Sequence, residues 1–274
     1  MTELSDSKFL SRYGKWVLVA GAAEGIGAAF SEVLAKKGMN LVMVDINPDK
    51  LAELSSRLEG KFSVKTKQLV NDLSLPDAAG NCMDFIKDIE CKLLIYVPAY
   101  SPVKRFLDNS QEELDKYINL NSRTPLHLVH LFTAHLKNRG GGGILLMSSL
   151  AGLIGPQFSA PYAATKAFSI LLAESLSIEL KRNHISIMAC CAGTTSTPTF
   201  WSSKPMLKNR WVSIMKPEEM AVMALNNLGN KTIYIPGWQN RLSYFLLTRI
   251  LPRRFSAKLV SKEMEKIYPF CFTN

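Results

Sequence analysis

Trp16-Val17-Leu18-Val19-Ala20-Gly21-Ala22-Ala23-Glu24-Gly25-Ile26-Gly27 decides the fold. Five apolar residues read as a buried strand, and the glycines follow without a break. A helix is predicted from Ala28 to Lys37, stopping near Gly38. Strand, Gly-rich turn and helix is the context in which such glycines signal a dinucleotide site. Glycine lets the backbone come close to a pyrophosphate, and the helix start offers free N–H groups and the positive end of its dipole. The spacing of Gly21, Gly25 and Gly27 is wider than Gly-x-Gly-x-x-Gly, so a tight turn without a ligand is the competing reading.

Working outward, Leu41-Val42-Met43-Val44 is a second buried strand that ends at Asp45, eighteen residues beyond Gly27. A dinucleotide fold expects an acidic ribose ligand about 20 residues on. Asp45 could equally cap a helix from Asn47 to Glu59, and the two roles are compatible. A third strand, Phe62 to Leu69, leads to Asn71-Asp72-Leu73, and a helix from Asp77 to Ile89 feeds a fourth strand, Lys92 to Val97. A long helix, Gln111 to Lys137, carries Asn119 and Asn121. The fifth strand, Ile144 to Met147, precedes Ser149, and a helical run covers Ala160 to Lys181. The sixth, Ile185 to Cys190, precedes Ala192-Gly193-Thr194-Thr195-Ser196-Thr197-Pro198. A helix from Pro217 to Asn227 and a strand from Thr232 to Ile235 complete the alternation.

Such alternation predicts an α/β fold: a single-domain, doubly wound parallel sheet with helices on both faces. Ligands then sit outside the carboxyl ends of the strands. Asp45, Asp72, Ser149 and Thr197 each follow a strand and so share that edge.

At 274 residues, 47% of them hydrophobic and 20% charged, the composition is globular rather than disordered. No linker, repeat or low-complexity segment divides residues 1–274, which read as one domain with a basic amphipathic extension over 238–274. Lys and Arg exceed Asp and Glu by 33 to 23, giving +10. That balance fits a solvated basic surface, an anionic membrane or acidic ligands. Nucleic acid is not expected, since no aromatic–basic interleaving appears. Met1 to Tyr13 is polar and mixed in charge, so no secretory signal is expected there. No apolar run approaches the roughly 18 residues of a spanning helix. The five cysteines include the adjacent Cys190 and Cys191 but no Cys-x-x-Cys, and the four histidines are scattered. No metal site is expected, and a reducing cytoplasm is the simplest location.

Tyr162-Ala163-Ala164-Thr165-Lys166 carries the chemistry. An i, i+4 spacing puts Tyr162 and Lys166 on one helical face. A phenol beside an ammonium becomes more acidic, which suits a general acid/base for alcohol–carbonyl interconversion. The competing reading is a coincidence on a solvated face. Ser149, thirteen residues earlier, adds a hydroxyl at a strand end. Phe200, Trp201, Met206 and Trp211 form either a lid over an apolar ligand or a loop packed on the domain. Beyond Trp238, Leu242, Phe245, Leu246, Ile250 and Leu251 make an apolar stripe, interrupted by Pro252 and followed by Arg253, Arg254, Lys258 and Lys262. A basic amphipathic helix of this kind can lie on an anionic membrane, on its own domain or across a dimer interface.

With these residues assembled, the chain resembles the short-chain dehydrogenase/reductase family from residue 14 to about 236. The match rests on Gly21, Gly25 and Gly27, Asp72, Asn121, Ser149 with Tyr162 and Lys166, and Gly193 with Thr197. The resemblance implies a Rossmann-like sheet, a nicotinamide cofactor, hydride transfer at an alcohol carbon, and a homodimer or homotetramer packed through the helices starting near Gln111 and Ala160. It implies Tyr162 as general acid/base and Lys166 as the group that holds ribose hydroxyls and lowers the Tyr162 pKa. Ser149 would hydrogen-bond the substrate oxygen, and Asn121 would hold a water linking Lys166 to solvent. Thr197 would anchor the carboxamide and Asp72 would meet the adenine. Gly21, Glu24, Gly25, Ile26, Gly27, Asp45, Leu73 and Thr195 complete the implied cofactor wall. Two departures touch that wall. Tyr96-Val97-Pro98-Ala99 stands where the family usually has Asn-Asn-Ala-Gly, and Ala192-Gly193 stands where it usually has Pro-Gly. Within the family the chain looks like bacterial bile-acid 7β-hydroxysteroid dehydrogenases, through stretches such as Arg12-Tyr13-Gly14-Lys15-Trp16 and Thr194-Thr195-Ser196-Thr197-Pro198.

The expected function is therefore an oxidoreductase for a hydrophobic secondary alcohol or ketone, neutral or anionic, such as a hydroxysteroid or bile acid. The Asp45 carboxylate would repel a 2′-phosphate, while Glu24 adds charge and Lys50 is set a turn into the next helix, so NAD(H) is expected over NADP(H). The alternatives are a lipid-type 3-oxoacyl reductase, or a catalytically weak cofactor-binding or membrane-surface protein on the same fold.

Overall fold

In the computed structural model of the chain, residues 6–207 and 213–271 are described. Trp211 of the expected lid lies outside them. Seven strands, β1 (Trp16–Ala20), β2 (Asn40–Asp45), β3 (Thr66–Val70), β4 (Cys91–Tyr96), β5 (Gly142–Ser149), β6 (Ile185–Ala192) and β7 (Ile233–Tyr234), form one sheet in the order β3-β2-β1-β4-β5-β6-β7. Every neighbouring pair is parallel. The chain starts in the middle, winds to one edge, and returns to place β4 beside β1. That reversal opens a crevice at the carboxyl ends of β1 and β4, where ligands of such sheets bind.

The continuous apolar run of β1 follows from having both sheet faces covered. Val17 and Val19 enter one core layer with Phe30, Leu34 and Met220. Leu18 and Ala20 point the other way, onto Leu128, Phe132 and Ile86. The two layers are the helices α2 (Gly25–Lys36), α3 (Pro48–Phe62) and α9 (Pro217–Asn227) on one side, and α4 (Ala78–Ile86), α6 (Thr124–Lys137) and α7 (Ala160–Glu179) on the other. Fully burying a side chain such as Leu18 or Val19 contributes about 1.5–3 kcal/mol.

Three local readings change, and one helix is added that the sequence reading did not include. The segment opening at Phe62 is the end of α3, where Ser63 turns left-handed at φ 53°, and β3 begins only at Thr66. The helix expected from Asp77 to Ile89 is the shorter α4, Ala78–Ile86. The helix expected from Gln111 to Lys137 is broken into α5 (Gln111–Ile118) and α6 by a π-helical turn, Asn119–Arg123. Residues Asp6–Tyr13 form a helix, α1, with Phe9 and Tyr13 in the core. Its Tyr13 hydroxyl donates to Leu228 O at 3.0 Å, and Arg12 donates to Ser186 Oγ at 2.9 Å.

The extension is helical, as α10 (Trp238–Phe245), a π-helical turn (Leu246–Ile250) and α11 (Arg253–Ile267). Pro252 stands as N-cap of α11, where its missing N–H costs nothing. A short helix, α8 (Pro198–Ser202), precedes it in the loop after β6. No helix among the described residues is long and apolar enough to cross a membrane.

Candidate active site

The glycine turn is a backbone cradle. Gly21 has φ +72°, a left-handed conformation that an L side chain rarely adopts. A Cβ on Gly27 would lie 1.7 Å from Gly21 O, so only glycine lets α2 start this close to the end of β1. The first N–H groups of α2 therefore face the crevice, an arrangement that suits a pyrophosphate. Glu24, the N-cap of α2, makes no side-chain cap of its own.

Asp45 is not the cap of α3. That role belongs to Asn47, whose Oδ1 accepts from Lys50 N at 3.0 Å, with Pro48 in the first turn. Asp45 instead accepts from Ala23 N at 2.9 Å and Asn47 N at 3.2 Å, which fixes its carboxylate at the lip of the cradle. Lys50 departs from expectation. It reaches back from α3 to pair with Glu24, because the first turn of α3 faces the glycine turn. The bond from Glu24 raises the Lys50 pKa, and Asp45 adds a smaller push.

Asp72 follows β3, and its Oδ1 accepts from Ser74 N at 2.9 Å and Ser74 Oγ at 2.7 Å, while Leu73 is buried. The cleft lining does not include these two residues. Pro98 lines the cleft and packs on the cradle, its ring 2.8 Å from where a Gly21 Cβ would stand. The departure at Tyr96-Val97-Pro98-Ala99 thus supplies an apolar wall.

The proton-handling groups stand at the ends of β5 and α7. Ser149 closes β5, and its Oγ accepts from Ala151 N at 3.2 Å. Burial raises the Tyr162 phenol above its ordinary 10, and a hydrogen bond with Ser149 opposes the rise. Lys166 is 4% exposed; its Nζ donates to Met147 O at 2.7 Å and lies 5.7 Å from the centre of the Tyr162 ring. Burial lowers the Lys166 pKa to about 8. The expected lowering of Tyr162 by Lys166 is not found: burial dominates, Ser149 alone opposes it, and the Lys166 ammonium is turned towards a main-chain carbonyl.

Asn121 sits in the π-helical turn. Its Oδ1 accepts from Tyr100 N at 2.8 Å, and its Nδ2 donates to Tyr100 O at 2.9 Å and Thr165 Oγ1 at 3.1 Å. The side chain clamps the irregular segment after β4 against α7, which leaves it little capacity for the expected water. Thr195 donates to Gly193 O at 3.1 Å, and Thr197 Oγ1 accepts from Phe200 N at 3.1 Å to cap α8. Both threonines line the cleft.

The cradle, the proton-handling groups and the two threonines open onto one cleft of about 640 Å³, lined from Gly21, Glu24, Gly25, Ile26 and Asp45 through Ser149, Tyr162 and Lys166 to an apolar compartment; Asn121 stands outside its lining. That compartment takes Ile154, Pro156, Phe200 and Leu207 from the main domain. The extension roofs it with Tyr244, Leu247, Val260, Met264, Ile267 and Tyr268. Of the expected lid, Phe200 alone among the described residues lines the cleft. Trp201 is 49% exposed, with its Nε1 donating to Ser196 Oγ at 2.9 Å, and Met206 is also exposed. Neither lines the cleft: α8 turns Trp201 outward, and Met206 lies beyond α8 in the loop that follows it. The roof residues were not singled out in the sequence. Their signal is the second apolar face of the extension, masked there by the more conspicuous stripe from Leu242 to Ile250.

Fold and cleft together define a dinucleotide-dependent oxidoreductase, and comparison with known proteins agrees. The short chain dehydrogenase family matches residues 15–208, so the chain belongs to the short-chain dehydrogenase/reductase family. It is 30% identical to the 7beta-hydroxysteroid dehydrogenase of Clostridium sardiniense over 85% of this chain and 89% of that one. It is also 30% identical to a very-long-chain 3-oxoacyl-CoA reductase-like protein of Arabidopsis thaliana, over 88% and 78% of the two chains. A solved structure described for 7beta-hydroxysteroid dehydrogenase stereoselectivity superposes with a TM-score of 0.85 at 26% identity, covering 92% of this chain and 98% of that one. The fold is one that binds a nicotinamide cofactor, and the glycine cradle with Asp45 at its lip fits that group.

Proposed function

We propose that the protein interconverts a hydrophobic secondary alcohol and its ketone, with a hydroxysteroid or bile acid as the substrate class and NAD(H) preferred over NADP(H). The observation that carries this reading is the single cleft in which Ser149 and Tyr162 stand between a backbone cradle and an apolar compartment.

Gly21, Gly25, Gly27, Asp45, Lys166, Thr195 and Thr197 would hold the cofactor, which supplies the hydride for reduction or accepts it in oxidation. Written as reduction, the C=O π electrons move onto oxygen as hydride reaches carbon, and Tyr162 Oη gives that oxygen its proton. Ser149 Oγ already accepts from Ala151 N, so its own proton is oriented to donate to the developing charge. Lys166 commits one N–H to Met147 O, which leaves its others for ribose hydroxyls. Asn121 positions rather than reacts, by holding the Tyr100 backbone and Thr165.

The NAD(H) preference rests on Asp45, whose carboxylate is fixed where a 2′-phosphate would bring like charge and remove a donor. Lys50 does not relieve this, since Glu24 engages it. Ile46 is exposed beside Asp45, so Asp45→Gly with Ile46→Arg should fold and move the kcat/KM ratio towards NADP(H) by supplying a guanidinium. A wild-type preference for NADP(H) would overturn the role given to Asp45.

The decisive experiment is a panel of hydroxysteroids, 3-oxoacyl thioesters and small ketones, each with both cofactors. A kcat/KM for steroids no better than for small ketones would sink the substrate class. The second reading, a 3-oxoacyl reductase, is favoured by the similarity to the Arabidopsis thaliana protein and by an apolar compartment that also suits an acyl chain. Preference for the thioesters would select it. The proposal includes a cytoplasmic homodimer or homotetramer, supported by five unbridged cysteines and by exposed Ile118, Leu171 and Ile178 on α5 and α7.

A further inference from the structure

The apolar stripe read in the extension does not pack on the domain. The side of α10 and α11 that meets the cleft presents Tyr244, Leu247, Val260, Met264 and Ile267. Most of the stripe points away: Leu242, Phe245, Leu246 and Ile250 are exposed and Leu251 is half-buried, and exposed Trp238, Phe255 and Leu259 join them. Ser256, fully buried, donates from Oγ to Leu247 O at 2.6 Å and locks the two helices together, so these residues form one fixed surface.

Cations surround that surface. Between Trp238 and Lys262 there are six basic residues and no acidic one. Arg249, Arg253, Arg254, Lys258 and Lys262 are all exposed, and none is paired with a carboxylate among the described residues. Arg253 and Arg254 occupy the first turn of α11, where positive charge opposes the helix dipole. Local helix stability therefore does not account for them.

We infer that this face is a docking surface for an anionic lipid bilayer. Exposed Trp and Phe beside clustered Lys and Arg are the residue types that settle at a charged interface. A second copy is a poor occupant, since it would bring a set of unpaired cations against its own image. Docking would lay the outer side of the roof on the membrane, with the apolar compartment directly beneath. The surface stands or falls independently of which substrate the compartment takes.

The test is cosedimentation of the full-length protein with vesicles of phosphatidylglycerol and phosphatidylcholine in equal parts, against phosphatidylcholine alone. Wild type should pellet with the anionic vesicles and be released by added salt, as screening requires. Arg253→Glu, Arg254→Glu and Lys258→Glu combined should weaken partitioning by at least about 100-fold. Phe245→Ser with Ile250→Ser should weaken it through the apolar contact, so misfolding of one variant leaves the other decisive. Turnover of a water-soluble ketone should stay at wild-type values in both, and the melting temperature should not fall in the charge-reversed variant, whose carboxylates suit the start of α11. Absence of binding to anionic vesicles, or equal binding by wild type and a folded charge-reversed variant, overturns the proposal. Self-association abolished by the same substitutions, without vesicle binding, assigns the face to a second copy and overturns it too.

Discussion

The two ends of the cleft are built from different material. The cofactor end is backbone: a left-handed Gly21, a Gly27 with no room for a Cβ, and the opening N–H groups of α2. The substrate end is side chain, with Ile154, Phe200, Leu247, Val260 and Met264 drawn from segments far apart in the chain. A backbone site tolerates almost no substitution, because every atom of it is shared with the fold. A side-chain compartment can be resized one residue at a time. Changes at the first end should therefore strike all substrates alike, and changes at the second should sort substrates by bulk.

The largest effect belongs to the seam between them. Tyr162→Phe keeps the ring and removes the transferable proton, so turnover should fall about 10²–10⁴-fold for every substrate, while cofactor binding followed by fluorescence survives. Activity near that of wild type would remove Tyr162 from the mechanism.

Lys166 at the same seam gives a stability signature. Its folded pKa is about 8 against an ordinary 10.5. Below pH 8 it is charged in both states, and the cost of burying it is present in full. Between pH 8 and 10.5 the folded protein loses that proton first, so stability rises with pH by up to about 3 kcal/mol from this group. The stability of wild type relative to Lys166→Met in urea melts should climb across that window. A flat difference would show that Lys166 is not desolvated.

Gly27→Ala probes the cradle. A methyl so close to Gly21 O must displace the turn, and overpacking of this kind costs about 1–3 kcal/mol. Cofactor dissociation constants should rise by about 10–100-fold, equally with bulky and small ketones present. Met264→Ala probes the roof. It should raise KM for a steroid by about 10-fold and for a small ketone by much less, since the small ketone buries less of the roof. Equal losses for both would erase the contrast between the two ends.

Smallest of all is Trp201→Ala. Half exposed and bonded to Ser196 outside the cleft, Trp201 should leave KM for bulky and small substrates within about two-fold of wild type, in line with surface substitutions generally. A selective loss for bulky ketones would restore the lid reading of that side chain.

The same contrast explains what could be read in advance. Glycine at Gly21, Gly25 and Gly27, a carboxylate at the end of β2, and Ser149, Tyr162 and Lys166 at fixed spacing are requirements of local geometry, and local geometry is written in order along the chain. The strands were legible for the same reason, since β1, β4 and β6 are apolar runs covered on both faces. The roof was not. Its helices are apolar on two sides, and periodicity does not say which side meets the domain. Lys50 was misjudged because a first-turn side chain can reach backwards, which depends on the angle at which α3 leaves β2. The broken helix at Asn119–Arg123 did leave a mark that was passed over: Pro125, two residues beyond the π-helical turn, has no N–H to continue the ladder from α5.

One contact reaches across nearly the whole chain. Tyr13 donates to Leu228 O across 215 residues, and Phe9 shares its core layer with α9. A chain that leaves the ribosome N-terminus first presents these two aromatic residues long before their partners exist. The sheet from β1 to β5 can assemble in that interval, but the first helix must wait for β6 and α9. It is made before every strand of the sheet and is among the last segments to be seated. Deleting residues 1–13 should therefore leave early assembly intact and weaken the finished molecule, acting on the unfolding rate more than on the folding rate.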